Sequence, residues 1–135
     1  MKKMIERVLY NEIVIAIIIK RNYVEEGINF LTPNSFSLQL GYMNRPADYI
    51  IEPHVHKLCH REIDKTQEVL FIKSGKVLID FYNEDKFFLE SKVVEEGDVI
   101  FLASGGHGFK MLENSEIIEV KQGPYVNENL DKSKF

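Results

Sequence analysis

Cysteine is nearly missing from this chain of 135 residues, and tryptophan is absent altogether. The lone thiol, Cys59, cannot close an internal disulfide, so the fold must rest on buried apolar surface and nothing points to an oxidising compartment. Long apolar runs are missing too. The most apolar stretch, VIAIII over residues 14–19, gives way at once to Lys20 and Arg21, whereas a membrane helix needs roughly 20 consecutive apolar positions. The opening carries Lys2 and Lys3 but no apolar segment leading to a small-residue cleavage site. Positive charge is in deficit, with 17 basic against 21 acidic residues and a formal net charge of -4, which argues against tracking a phosphate backbone. Glycine-rich phosphate loops of GxGxxG or Walker type do not occur. The expectation is a cytoplasmic protein with no nucleic-acid and no membrane partner.

What is present suits a globular chain. A hydrophobic share of 44% beside 28% charged residues is ordinary for a folded domain, and the length fits a single domain, 1–135, with a sizeable core. Near the start, Met4, Ile5, Val8 and Leu9 recur at close to helical spacing and suggest a short helical extension. The β-branched VIAIII segment reads as a strand. In NSFSLQLGYM, Phe36, Leu38 and Leu40 alternate with Ser35, Ser37 and Gln39, the pattern of a half-buried strand. Strand character resumes in YIIEPHVHKL after a turn at Arg45-Pro46-Ala47-Asp48, although Pro53 suits an edge or a bend.

The clearest secondary structure begins at Glu68. Residues 68–72 and 77–82 are strand-like runs joined through Lys73-Ser74-Gly75-Lys76, a good hairpin turn. Asn83-Glu84-Asp85-Lys86 makes the next turn, and Glu95-Glu96-Gly97-Asp98 another before VIFLA. Ser104-Gly105-Gly106 breaks that strand before HGFKML, and IIEVK ends at Gln122-Gly123-Pro124. The tail from Tyr125 to Phe135 is polar and suited either to packing loosely or to clasping a partner. Many brief strands without long helices between them predict an all-β sandwich or barrel, with a compact barrel preferred.

All four histidines lie in two short stretches, PHVHKLCH and SGGHGF. On one strand, His54 and His56 would leave the same face about 7 Å apart, a separation suited to one metal ion. The glycines at positions 75, 97, 105 and 106 fit tight turns.

These motifs resemble the cupin superfamily of small jelly-roll barrels. The first cupin motif, a His-x-His pair followed by a Glu and then a Gly, has its counterparts in His54-Val55-His56, Glu68 and Gly75. The second resembles Gly97-Asp98-Val99-Ile100-Phe101-Leu102-Ala103-Ser104-Gly105-Gly106-His107. The spacer between His56 and Glu68 is longer than usual. Asp48, Ala103 and Met111 stand where the family commonly has glycine, proline and asparagine. The resemblance implies a double-stranded β-helix with a short N-terminal extension and a motif-bearing core at about residues 35–122. It also implies a metal site of His54, His56, Glu68 and His107.

Neutral imidazoles with a carboxylate suit a divalent transition metal such as Mn, Fe, Ni or Zn, and four ligands would leave positions for water or substrate. If Glu68 points inward, Leu70 and Ile72 share its face and floor the site, while His107 would share a face with Phe109 and Met111. Glu119 and Lys121 share one face of IIEVK and are the candidate catalytic pair, with Glu119 as proton shuttle. Tyr42, Arg45 and Tyr49 precede the histidine pair as weaker candidates at the mouth. His60 reads as loop decoration and Cys59 as a buried or inert thiol.

The leading expectation is therefore a metal-binding cupin acting on a small oxygen-rich metabolite, by sugar isomerisation or epimerisation. The alternatives are a noncatalytic small-molecule-binding cupin, with a carbohydrate among the candidate ligands, a metal-independent sugar-nucleotide isomerase using His54 or His56 as base, and a dioxygenase. A homodimer is expected, with VIAIII as its surface.

Overall fold

The computed structural model describes residues 4–135. Lys2 and Lys3, considered for a leader, lie outside the described residues. Among the described residues ten strands and one short helix are formed, and backbone proximity divides the chain into two compact units, Met1–Tyr23 with Thr66–Phe135, and Val24–Lys65.

In the larger unit, β1 (Ile5–Tyr10) and β2 (Ile13–Ile19) form a hairpin. The start is thus a strand and not the expected helix. Its turn places Asn11 and Glu12 at positive φ, 49° and 67°, the mirror-image geometry that matches the twist of paired strands. A second hairpin joins β5 (Glu68–Ser74) to β6 (Lys76–Tyr82), and β7 (Phe88–Glu95), β8 (Val99–Leu102), β9 (Gly106–Met111) and β10 (Glu116–Lys121) follow. The strands assemble into a five-stranded sheet, β1-β2-β8-β5-β10, and a three-stranded sheet, β7-β6-β9. Every pairing is antiparallel.

One apolar core joins the two sheets. Ile15 and Ile18 of β2, Leu70 and Ile72 of β5, and Ile100 of β8 meet Val77, Ile79 and Phe81 of β6 within it. Strand β6 alternates strictly between buried and half-exposed residues, so each second side chain enters the core. Burying one such aliphatic or aromatic side chain contributes about 1.5–3 kcal/mol. By contrast, β2 is buried along Ile15–Ile19 because β1 and β8 flank it and both of its faces are covered. This corrects the expectation that VIAIII forms a dimer surface: the segment is already consumed within the chain.

Neither sheet closes on itself, so the expected closed barrel is corrected to an open pair of antiparallel sheets. The reason lies in the segments expected to supply further strands. Residues 34–40 form turns, because Thr32 Oγ1 donates to Gln39 Oε1 (2.9 Å) and Gln39 Nε2 donates to the carbonyls of Pro33 and Phe36. Side-chain bonds of this kind compete with ladder formation. Residues 49–58 also carry no regular structure. Pro53 offers no N–H, and His54 Nδ1 bonds locally to the Glu52 carbonyl at 2.8 Å. The smaller unit keeps one short ladder, β3 (Gly27–Phe30) with β4 (Gly41–Asn44).

Two turns fix the sandwich. Gly75 has φ +93°, and a Cβ there would lie 2.2 Å from Ser115 Oγ, so only glycine fits between β5 and β6. Asp98 is buried, and its carboxylate accepts from the Arg21 N–H and the Glu95 N–H, each at 2.8 Å, and from Lys20 Nζ at 3.0 Å. The Gly97-Asp98 pair of the second motif therefore ties the ends of β2 and β7 to the start of β8.

Candidate functional site

Strand register brings four of the candidate residues to one end of the sandwich. Lys121 lies opposite Glu68, and Glu119 opposite Leu70, in the β10–β5 ladder. Because side chains alternate, Glu68, Leu70 and Ile72 share a face, as do Ile117, Glu119 and Lys121. Leu70 and Ile72 are buried, so this face is the inward one and the apolar floor beneath Glu68 is present. On the other sheet His107 lies opposite Phe81, whose side chain is fully buried in the core. His107 consequently reaches inward from β9, and its Nε2 lies 3.3 Å from Glu68 Oε2. A carboxylate of one sheet thus meets an imidazole of the other. Phe109 and Met111 share the His107 face by register and remain exposed.

The two glutamates are driven apart in acidity. Burial pushes the Glu68 carboxyl up, but its hydrogen bonds with His107 and Glu119, together with the charges of His107 and Lys121, outweigh burial and hold it below the ordinary carboxylate range. Glu119 is raised, first by its hydrogen bond to Glu68, then by burial and by the Glu68 charge, with Lys121 and Lys132 opposing. Of two neighbouring carboxyls shifted in opposite directions, the raised one holds its proton to higher pH than the lowered one.

A cleft of about 500 Å³ opens over this pair. Its walls come from Thr66 and Glu68, the corner Tyr82–Lys86, the glycine-rich entry into β9, and the tail from Asp131 to Phe135. The entry is tightly built, since a Cβ on Gly105 (φ +73°) would meet the Tyr82 carbonyl oxygen at 2.2 Å. The Gly105 N–H is taken by Glu84 Oε1 at 2.9 Å.

The metal site is overturned. His54 and His56 belong to the Val24–Lys65 unit, lie outside any strand and are exposed; their rings stand edge to face, 5.4 Å between centroids. Among the described residues, no group of three or more His, Cys, Asp or Glu side chains is arranged to hold a metal ion. Two donors on an irregular segment and the two-residue contact of Glu68 with His107 do not by themselves make the expected four-ligand set. The assignment of Mn, Fe, Ni or Zn to His54, His56, Glu68 and His107 is therefore withdrawn. So are the metal-dependent isomerase or epimerase and the dioxygenase.

Comparison with family models, with curated proteins and with solved structures found no match. The reading of the site consequently rests on its own geometry. Tyr42, Arg45 and Tyr49 lie in the smaller unit, where the Arg45 guanidinium stacks 4.1 Å from the Tyr49 ring centroid. His60 Nε2 lies 3.8 Å from Glu62 Oε1, with both side chains in solvent. Cys59 is exposed, so of the expected buried or inert thiol the burial does not hold. Sequence reasoning missed Thr66, Tyr82, Asp131 and Phe135. Tyr82 could have been found as the last residue of the hairpin strand, but the polar tail has no periodicity that would place Asp131 or Phe135. Among the described residues no helix is long and apolar enough to cross a membrane.

Proposed function

We propose that this chain is a noncatalytic small-molecule-binding module that receives a polar ligand in the cleft above Glu68 and His107. The observation that carries the reading is the 3.3 Å contact between Glu68 and His107 across the two sheets, at the base of a cleft of about 500 Å³. The cleft has the size of small-molecule sites and brings a few convergent polar groups together beside the rings of Tyr82 and Phe135. The lining offers Glu68, His107, Thr66 and Lys86, with Lys121 opposite Glu68 in the ladder, a set suited to an oxygen-rich metabolite such as a sugar or hydroxy acid.

We read the two sheets as an open form of the double-stranded β-helix. What supports this is the way β5 to β10 are distributed, with β8-β5-β10 in one sheet and β7-β6-β9 in the other. The ligand reading does not depend on it.

The test is an NMR titration of the full chain with a panel of monosaccharides and hydroxy acids. Saturable shifts at Glu68, His107 and Tyr82 are expected, and Glu68→Gln, which preserves shape, should remove them. Shifts that survive Glu68→Gln unchanged, or a panel that moves none of these signals, would overturn the reading.

One observation favours a second reading, metal-independent proton transfer: adjacent carboxyls with opposed acidities are a common acid–base arrangement. With a 2-hydroxy carbonyl substrate, ionised Glu68 would take the proton of the hydroxyl-bearing α carbon while protonated Glu119 gives its proton to the carbonyl oxygen, forming an enediol. Glu119 would then take the proton of the other hydroxyl as Glu68 returns its own to the former carbonyl carbon, so that the carbonyl moves to the neighbouring carbon. Deuterium wash-in from D2O in the presence of a chelator, lost in both Glu68→Gln and Glu119→Gln, would decide for this reading. Binding without wash-in decides for the first.

A further inference from the structure

The tail of the chain fills part of the cleft in a manner that describes what the cleft takes. Residues Glu128–Asp131 form a single helical turn, α1, capped by Asn127, whose side chain accepts the Leu130 N–H at 3.0 Å. Lys134 Nζ closes back on Glu128 at 2.7 Å. The segment buries almost nothing of its own: Leu130 is 74% exposed and Phe135 64%. It is nonetheless pinned at two points. Asp131 Oδ1 accepts from Thr66 Oγ1 at 3.1 Å, and Asp131 Oδ2 receives Lys121 Nζ at 3.0 Å. The Phe135 ring stands edge-on to Tyr82 at 5.0 Å, with Lys86 Nζ 5.5 Å from its centroid.

The two anchors differ in what they offer. Thr66 and Lys121 flank the β5–β10 ladder, since Thr66 precedes β5 and Lys121 ends β10 opposite Glu68. One hydroxyl and one ammonium held by the sheet each bind one oxygen of the same carboxylate. This is a built carboxylate seat, and its present occupant is carried by a segment with little else to hold it. Charge limits what else could sit there. Glu68 is close enough for the Lys121 charge to lower its pKa, and Glu84 lines the same cleft. At the seat itself the sheet supplies one ammonium, Lys121; of the other lysines in the cleft, Lys132 and Lys134 belong to the tail and Lys86 stands beside Phe135, and one ammonium next to Glu68 suits a monoanion better than a dianionic phosphate.

We propose that the ligand of this cleft is a small carboxylate, that its carboxylate takes the place of Asp131 on Thr66 and Lys121, and that residues 127–135 are a competing strap. The proposal rests on the reading of the cleft as a ligand site and adds the ligand class and the competition. Ligand entry and strap release are one exchange, so the apparent affinity is reduced by the fraction of time the strap holds its seat.

The test uses glycolate, its neutral isostere glycolamide and inorganic phosphate, titrated by NMR into the full chain and into Asp131→Ala. Glycolate is expected to shift Thr66 and Lys121 and, in the same transition, to move Leu130 and Phe135 toward random-coil positions. Asp131→Ala should bind glycolate roughly tenfold more tightly, the factor for a strap seated about nine-tenths of the time. Lys121→Gln placed in the Asp131→Ala background should cancel that gain. Equal affinity in the two chains, equal binding of glycolamide, tighter binding of phosphate, or glycolate binding that leaves the tail signals unmoved would each overturn the proposal. If monosaccharides still shift His107 and Tyr82 in that event, the cleft stands and only the strap falls. If nothing shifts those residues, the parent reading falls with it.

Discussion

The two compact units use similar side chains to opposite ends. In the sandwich, Val77, Ile79 and Phe81 alternate along β6 and are completely withdrawn from solvent; in Val24–Lys65, Ile50 is 77% exposed and Val55 88%. Both segments read as strands because both place apolar residues in short β-branched runs. The difference is the fate of their backbones. Strand β6 has a ladder on each side, β7 and β9, so its N–H and C=O groups are paired and its apolar face has a second sheet to pack on. Residues 49–58 join no ladder, and Pro53 and the His54–Glu52 bond take the place of one. Alternation alone therefore indicates which side chains could be buried together, and only paired backbone makes the burial happen.

The comparison can be broken most directly in the core. Phe81→Ala should destabilise the chain by about 3–5 kcal/mol, the usual range for emptying a buried aromatic site, whereas Val55→Ala should stay within about 0.5 kcal/mol. Urea unfolding of the two variants checks this. A loss above about 1 kcal/mol for Val55→Ala would mean, on the same scale of surface substitutions, that the smaller unit has a core after all.

A smaller effect is expected at the junction of β2, β7 and β8. Asp98→Ala removes an acceptor used by two backbone N–H groups and Lys20, and should cost about 3 kcal/mol, since a buried polar network loses its centre. Thermal and urea unfolding should agree, and a neutral result would show that Lys20 and the two N–H groups are readily rehydrated.

The smallest effect lies at the cleft and is read through pH. Glu68 has a folded pKa below its unfolded one, so its contribution is present above the unfolded value and is lost as pH falls through the folded value. Glu119 is raised, so its contribution is present below the unfolded value and is lost as pH rises through the folded value. Because the groups are partly open to solvent, the change in stability should be about 1 kcal/mol or less. Carboxyl-carbon NMR should show Glu68 titrating below the ordinary glutamate range and Glu119 above it. Glu119→Gln keeps a donor beside Glu68 and should abolish the loss on the alkaline side. The opposite order of titration would reverse the assignment of donor and acceptor.

Much of the sandwich is legible in the sequence, for reasons that can be named. The Glu68–Tyr82 hairpin carries β-branched runs around a glycine that must adopt positive φ, and the strand after Gly97 is announced by its turn. Period two correctly places Glu119 and Lys121 on one face and Leu70 and Ile72 beneath Glu68. Illegible features fall into three kinds. The His-x-His segment satisfies the motif while its backbone joins no strand, so the spacing is right and the geometry absent. The tail gives no signal, because Asn127, Asp131 and Lys134 act through a one-turn helix too short for periodicity. Cross-sheet contacts such as Glu68 to His107 depend on how two ladders stack, which no local pattern encodes.

The unclosed sheets have a consequence beyond the cleft. Strand β10 is the rim of the five-stranded sheet, and its outer backbone groups could template the addition of a strand from a neighbouring molecule. Any such newcomer would enclose Glu119 and Lys121, whose inward charges would then have to shed their water. Charged side chains beside a sheet rim thus make this end of the protein unwelcoming to another polypeptide.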